Sequence, residues 1–432
     1  MPSALSRGHC AVAINPVMGS TGLCHHPVFR HFTPLILDNA SQLQVALPRS
    51  AANTAKKLRR SLPHDPKMEV VIDWLGVRVP RQEYCHISYY RQRWPHALRA
   101  QLCDLLKWAQ ESSYFPQHDG KLPLPLPAVS EEYFEYIDVL ESVVAYHKQV
   151  PEHAVPQRPF TMLELGAGFG FWTLTAHAAL RQLRPRAVYE FALMEIDFGK
   201  QAMLRQTLAL NDVLPSSTRL VHSALGDRDD TDGVIQNGNV GWYAVHACDP
   251  KHPEVAEAGC RGKKFLGPKS ERDPAEIKKL NGAVAPITSL PTILAKYNVV
   301  DLLDMDVQGA EWTIFSEPEV GEPSEATRAA FDALDAKVLR VHIGTHGAMN
   351  ATAPTMLPYT AREAALKHSF LRRGWSPTWT VGVTNGGCVF HEVQSKHHFR
   401  STRWGPVCMA DGAMGFINER LRARVETTVA RA

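Results

Sequence analysis

Three glycines at alternate positions, Gly166, Gly168 and Gly170, follow a short apolar run and precede a helix-forming stretch over residues 172–183. This arrangement predicts a strand-to-helix turn in which a ligand can approach bare backbone. Open α/β sheets bind nucleotide-like ligands at such turns. A dinucleotide fingerprint needs its third glycine where this chain has Phe171, so the spacing argues against NAD and favours a phosphate-free ligand.

Two further groups of residues follow the next predicted strands and suit the rest of such a pocket. Glu195, Ile196 and Asp197 follow the second strand, where a carboxylate accepts hydrogen bonds from both hydroxyls of a ribose. Glu195 lies nearer the strand end than Asp197 and is the predicted ribose ligand; a solvent-facing acid is the alternative. Ala224 and Leu225 follow the third strand, and their small to medium size predicts a surface for a flat base.

A second acidic group lies in the run Asp301-Leu-Leu-Asp304-Met-Asp306-Val-Gln-Gly309-Ala-Glu311. Three acids in six residues are costly in a fold unless they are solvated or engaged. Asp306 is expected at the carboxyl edge of the sheet beside the first strand, where it can orient a substrate hydroxyl or hold a cation. We predict Asp306 as a catalytic residue, with a structural cap as the alternative, and Glu311 as a substrate contact.

His342 and His346 lie on the next predicted strand, an even number of residues apart, and therefore face the same side. Histidine has a pKa of about 6.5 and is suited to accept a hydroxyl proton. Three interpretations stay open: a general base, two ligands of a metal together with Asp306, or buried hydrogen-bonded histidines. We predict His346 as the base, with His342 as second choice, and include no metal ion in the site.

The composition bounds the class of protein. The chain has 432 residues and a net charge of +3 from 47 basic and 44 acidic residues, which does not favour a nucleic-acid partner. No apolar run is long enough to span a bilayer, so no integral membrane segment is expected. The eight cysteines include no C-x-x-C pair, which indicates free thiols in a reducing compartment and predicts a cytoplasmic protein.

The chain divides into three predicted parts. Residues 1–64 contain one acid against seven Lys and Arg, which is typical of a transit-like leader for organellar import or of a disordered tail. Residues 65–150 form an amino-terminal extension that ends in an amphipathic helix. On this helix Glu132 and Glu135 either reach a ligand or, as the simpler interpretation, lie on a solvated charged face.

Residues 151–432 form the predicted main domain, an α/β, doubly wound sheet, because strand and helix patterns alternate after residue 158. Between about 227 and 285 this alternation stops, which predicts an inserted loop region. The insertion contains Trp242, a candidate substrate contact. The predicted strands and helices of the domain are Thr161–Leu165, Trp172–Leu183, Glu190–Met194, Gly199–Leu210, Thr218–His222, Leu290–Tyr297, Val299–Met305, Glu325–Ala333 and Lys337–Ile343.

The run from Glu164 to Gly170, followed in order by Asp301 to Glu311, resembles the FkbM-type methyltransferases, which use S-adenosylmethionine. The segments Ser130 to Tyr136 and His342 to His346 resemble a subgroup with an amino-terminal extension. The resemblance covers residues 128–420. It implies a Rossmann-like sheet of seven strands with the last strand antiparallel, and O-methylation of a hydroxyl on a sugar, glycan or small metabolite.

The resemblance also implies a role for individual residues. The methionine part of the cofactor would be surrounded by the glycine turn, namely Glu164, Gly166, Ala167, Gly168 and Gly170. Glu195 and Ile196 would lie by the ribose, and Ala224 and Leu225 by the adenine.

In this hypothesis the enzyme aligns the acceptor hydroxyl through Asp306, and His346 or His342 takes its proton. Two alternative functions stay open. Phe171 weighs against a nucleotide-dependent oxidoreductase, and the acids at 195, 306 and 311 weigh against a non-catalytic cofactor-binding protein of the same fold.

Overall fold

The structure is a computed structural model of the 432-residue chain. The residues that it describes are 27–33, 36–37, 70–80, 122–123, 131–150, 158–237, 243–244, 282–307, 309–315, 323–345, 359–381, 399–402, 405–408 and 412–431.

The strands of these residues are, in chain order, β1 (Ile36–Leu37), β2 (Val70–Ile72), β3 (Arg78–Pro80), β4 (Leu122–Pro123), β5 (Phe160–Leu165), β6 (Tyr189–Met194), β7 (Thr218–Val221), β8 (Ala224–Gly226), β9 (Asp230–Asn237), β10 (Tyr243–Ala244), β11 (Gly282–Ser289), β12 (Leu302–Met305), β13 (Arg340–Thr345), β14 (Trp375–Val381), β15 (Phe399–Thr402), β16 (Gly405–Cys408) and β17 (Gly412–Asn418). The α-helices are α1 (Glu131–Gln149), α2 (Phe171–Leu183), α3 (Phe198–Leu210), α4 (Leu290–Leu294), α5 (Glu311–Ile314), α6 (Glu325–Lys337), α7 (Tyr359–Arg372) and α8 (Glu419–Arg431). Among the described residues, 3-10 helices span Pro27–His31 and Pro215–Ser217.

The central sheet has seven strands in the spatial order β14-β17-β13-β12-β5-β6-β7. Neighbouring strands from β13 to β7 are parallel, whereas β17 is antiparallel to both β13 and β14. The sheet is therefore doubly wound with its last strand reversed. This confirms the predicted fold class.

The sheet forms because its central strands are mostly apolar and are buried on both faces. β5 is buried along its whole length, as is β12. On one face Phe160, Met162 and Leu302 pack with the apolar side chains of α1, α2 and α3. On the other face Leu163 and Leu303 pack with α4, α6 and α7. Burial on both faces is what a parallel sheet covered by crossover helices requires.

Helix α1 is the amphipathic helix predicted at the end of the extension. Its apolar side chains Phe134, Ile137 and Leu140 recur at three-residue intervals and are buried. His147 and Lys148 lie in the last turn, where positive charge complements the helix dipole. The helix packs against α2 and against β12, β13 and β17, so it covers one face of the sheet.

Part of the predicted leader is folded onto this same face. Val28, Phe29 and Phe32 are buried, and the Phe29 ring centroid lies 5.4 Å from that of Trp74. These three side chains of the predicted leader therefore pack in the core, and the leader itself stays a prediction. The basic, acid-poor composition of residues 1–64 gave no sign of this short apolar group. Most of the other residues before 65 lie outside the described ranges.

The predicted loop region after residue 227 contains paired strands. β9 and β11 are antiparallel, and β11 also pairs in parallel with β8 to make a four-stranded sheet with β10. β9 was not predicted, because its mostly polar sequence lacks the apolar pattern of a strand. Residues 245–281 of the predicted insertion, and Trp242, lie outside the described residues. Within the part of the chain that is described, no helix is both long and apolar enough to cross a membrane.

Candidate functional site

The glycine turn connects β5 to α2, as the sequence predicts. Gly166, Gly168 and Gly170 all have positive φ, of 90°, 55° and 80°. A Cβ on Gly166 would lie 1.8 Å from the backbone oxygen of Asp306, so only glycine permits this approach of two strand ends. A Cβ on Gly168 would meet no atom of the described residues within 4 Å. The first glycine therefore serves packing, whereas the second borders open space.

The turn is attached to the end of β6 through backbone and side-chain hydrogen bonds. The N–H groups of Gly166 and Ala167 donate to the carbonyl of Met194 at 3.0 and 2.8 Å. The N–H of Gly168 donates to Oε2 of Glu195 at 2.7 Å, and the N–H of Asp197 donates to Oε1 at 2.8 Å. Glu195 is 6% exposed. Each oxygen of this carboxylate keeps a further lone pair with which a hydroxyl can pair.

An apolar wall stands beside Glu195. Ala224 and Ala310 form a small buried cluster, against which Ile196, Val307 and Ile287 pack. The structure thus brings together two predicted adenine and ribose contacts, Ile196 and Ala224. Leu225 is instead part of the core cluster that contains Leu163 and Leu290.

Glu164 lies beneath the turn and contacts the first turn of α2. The N–H of Thr173 donates to its Oε2 at 2.9 Å, and the N–H of Trp172 lies 3.4 Å from Oε1. Burial raises the pKa of Glu164 to about 7. A carboxyl at this end of the helix satisfies backbone N–H groups that have no partner within the helix.

Asp306 is half-buried and directly follows β12, beside the glycine turn. Its N–H donates to the carbonyl of Leu165 at 2.9 Å, which sets the two strand ends side by side. This is the location that the sequence predicts, and its catalytic role stays a prediction. Glu311 is fully buried, and its Oε2 accepts a hydrogen bond from the N–H of Gly309 at 2.8 Å, a contact that closes the turn after β12.

His342 lies on β13, beneath α1. It is 2% exposed, and its Nδ1 lies 2.8 Å from Oδ2 of Asp138. These contacts match the interpretation of a buried hydrogen-bonded histidine. His346, the preferred base, lies outside the described residues. Glu135, assigned to a solvated face, is 8% exposed, and its Oε1 lies 3.9 Å from Nε2 of His342, so that assignment is wrong.

The sequence reasoning missed several residues of this region. Val307 and Ala310 complete the apolar wall, but a valine and an alanine beside a run of acids give no sequence signal of their own. Asp138 was missed although it lies one helical turn after Glu135. Arg340 was missed although it lies two residues before His342 on the same face of β13, where its guanidinium pairs with Asp138 at 2.7 Å.

Asp301 has a structural partner. The Arg158 guanidinium donates to both of its carboxylate oxygens, at 2.8 and 2.7 Å, and the N–H of Thr161 donates to Oδ2 at 2.9 Å. This carboxylate ties the start of β5 to the start of β12. It accounts for one of the three acids that the sequence grouped together.

No protein-family model matches the chain, and no curated protein matches its sequence. Solved structures do. A methyltransferase FkbM from Methylobacillus flagellatus is 11% identical, with a TM-score of 0.28 over 72% of this chain and 60% of that chain. An O-methyltransferase from Bacillus cereus in complex with SAH is 8% identical, with a TM-score of 0.29 over 66% of this chain and 80% of that chain.

Cofactor-bound Rv0187 from MTB is 12% identical, with a TM-score of 0.31 over 68% of this chain and 84% of that chain. The fold of this chain is defined by its own strand order and by the reversal of β17.

Proposed function

We propose that this chain is an S-adenosylmethionine-dependent methyltransferase whose catalytic domain spans residues 151–432. One observation carries the proposal: the glycine turn, the Glu195 carboxylate and the apolar wall of Ile196 and Ala224 meet at the carboxyl edge of β5 and β6. This edge is where doubly wound sheets bind nucleotide-like ligands.

The residues at this edge fit the parts of S-adenosylmethionine. The open space at Gly168 suits the methionine part, because a side chain there would occupy the cradle. Glu195 would hold the ribose hydroxyls, and Ile196, Ala224 and Val307 would contact the adenine. When bound, S-adenosylmethionine supplies an electrophilic methyl group on a cationic sulfur.

We further propose O-methylation of a hydroxyl on a sugar, glycan or small metabolite. Asp306 orients the acceptor hydroxyl, which the half-buried position of this residue beside Gly166 supports. His346 accepts the hydroxyl proton. The near balance of basic and acidic residues supports a small acceptor over a nucleic acid.

Ligand binding tests the cofactor. S-adenosylhomocysteine and NADH are titrated separately into the full-length chain by isothermal calorimetry. We expect the wild type to bind S-adenosylhomocysteine. Glu195→Gln should raise the Kd for S-adenosylhomocysteine at least tenfold, because a hydrogen bond to a charged group contributes about 1.5–3 kcal/mol.

The matched control is Glu190→Gln, an exposed acid on the same strand β6, which should bind as the wild type does. Binding of NADH without S-adenosylhomocysteine would refute the proposed cofactor. The acceptor class is tested with a labelled methyl donor and fractionated metabolite extracts. Transfer to RNA or protein, with none to small molecules, would refute the proposed acceptor.

A further inference from the structure

A row of three ionisable side chains crosses the middle of the sheet. Asp304 on β12 is in register with Glu164 on β5 and with His342 on β13. Neighbouring residues in register point to the same face, which here is the face that α1 covers. From α1, Glu135 reaches this row: one ligand atom each of Glu135, Asp304 and His342 lie within 4.8 Å of one another.

Asp304 is the unexplained member of this group. It is 1% exposed, and neither of its carboxyl oxygens has a hydrogen-bond partner among the described residues. Burial, together with the nearby carboxyls of Glu164, Asp306 and Asp138, raises its pKa well above the ordinary value. Buried polar atoms in folded proteins are almost always satisfied, so two unsatisfied oxygens on one side chain point to a missing partner.

His342 is held in the orientation of a metal ligand. The Asp138 carboxylate accepts a hydrogen bond from its Nδ1–H at 2.8 Å, and the other Asp138 oxygen accepts one from Arg340 at 2.7 Å. In the neutral form of the ring this bond leaves the lone pair on Nε2. A carboxylate behind the imidazole is the usual outer contact of a metal-bound histidine.

The spacing of the group also suits a metal ion. Nε2 of His342 lies 3.9 Å from Oε1 of Glu135, too long for a hydrogen bond. Two ligands at about 2.1 Å from a tetrahedral ion lie about 3.4 Å apart, so a small closure would bring both atoms into one coordination shell.

We propose that Glu135, Asp304 and His342 form a binding site for a divalent transition-metal ion such as Zn²⁺. Two carboxylates balance the charge of the ion, and the imidazole nitrogen favours a transition metal over Mg²⁺ or Ca²⁺. The ligands come from α1, β12 and β13, so the ion fastens the extension helix to the sheet. The low exposure of all three ligands indicates that the ion stabilises the fold and does not meet substrate.

The test uses the full-length chain, stripped with a chelator and titrated with Zn²⁺ by calorimetry. The wild type should bind one more equivalent of Zn²⁺ per chain than Asp304→Asn does. With Zn²⁺ at a hundredfold excess over its Kd, the Tm of the wild type should rise by about 5 °C. Asp304→Asn should lack this rise, while its metal-free Tm equals or exceeds that of the wild type because the buried carboxyl is gone.

The control variant Asp332→Asn removes an exposed acid on α6 and should bind Zn²⁺ as the wild type does. Glu135→Gln, at the edge of the same group, provides a second variant if Asp304→Asn fails to fold, and it should also lose one equivalent. Because other histidines and cysteines of the chain can bind Zn²⁺, only the difference between variants counts. Equal stoichiometry in wild type and both variants would overturn the proposal.

Discussion

Alanine at Gly166 and alanine at Gly168 should damage the protein in different ways. Both glycines have positive φ and lie in one turn. At Gly166 the added Cβ would lie 1.8 Å from the Asp306 oxygen and 2.8 Å from its carbonyl carbon, both backbone atoms that cannot rotate away. At Gly168 the added Cβ would come within 4 Å of no atom in the part of the chain that the structure describes. The first change therefore tests packing, and the second tests the open cradle.

The free energies can be estimated separately. Alanine at a positive φ costs about 1–2 kcal/mol of unfolding free energy at either position. Forcing the ends of β5 and β12 apart at Gly166 adds the cost of an overpacked contact, about 1–3 kcal/mol. Gly166→Ala should thus lose about 4 kcal/mol, and Gly168→Ala about half as much or less.

Urea unfolding, followed by tryptophan fluorescence, measures both losses in one buffer. Calorimetric titration with S-adenosylhomocysteine then measures binding by each folded variant. We expect Gly168→Ala to bind at least tenfold more weakly than the wild type, because its methyl group occupies the cradle. Equal losses of unfolding free energy in the two variants would refute the close approach of Gly166 to Asp306. Unchanged binding by Gly168→Ala would refute the cradle.

Two further predictions concern stability. Arg158→Met should lower the free energy of unfolding in urea by about 3 kcal/mol, because it leaves the buried Asp301 carboxylate without its bidentate partner. Arg186→Met, at an exposed position, is the control, and equal losses of unfolding free energy in the two variants would contradict the prediction. Burial lowers the pKa of His177 to about 4, so the unfolded chain takes up a proton near pH 6.5 before the folded chain does. Unfolding free energy should therefore fall by up to about 3 kcal/mol as pH drops from 6.5 to 4. His177→Phe should reduce this loss of unfolding free energy at low pH, whereas His147→Phe, at an exposed position, should leave it unchanged. If both variants show the same dependence of unfolding free energy on pH, His177 is not its cause.

Much of the fold could be predicted because the sheet is buried on both faces. Strands such as β5 and β12 are short apolar runs, and the helices between them have a clear apolar face, so the alternation was visible along the chain. β9 was not visible, since five of its eight residues are Asp, Thr, Gln or Asn. Its strand form depends on pairing with β11, about fifty residues further on.

The candidate pocket could be located for a related physical reason. The carboxyl ends of parallel strands meet at one edge, so Glu195, Ala224 and Asp306 could be assigned to it from their positions alone. The contacts between α1 and β13 could not be predicted from the sequence. Asp138 and Arg340 are separated by 202 residues, and helical spacing shows which side chains share a face but not which distant strand that face will cover.

The position of β17 constrains how the chain folds during synthesis. β14 leaves the ribosome first, yet in the sheet it borders β17, which then separates it from β13. β14 must therefore wait for about thirty more residues, a delay of a few seconds at about 5–20 residues per second. Until β17 arrives, β13 has an unpaired edge, and a nascent chain paused between residues 381 and 412 would expose two strand edges on which chaperones or other chains can act.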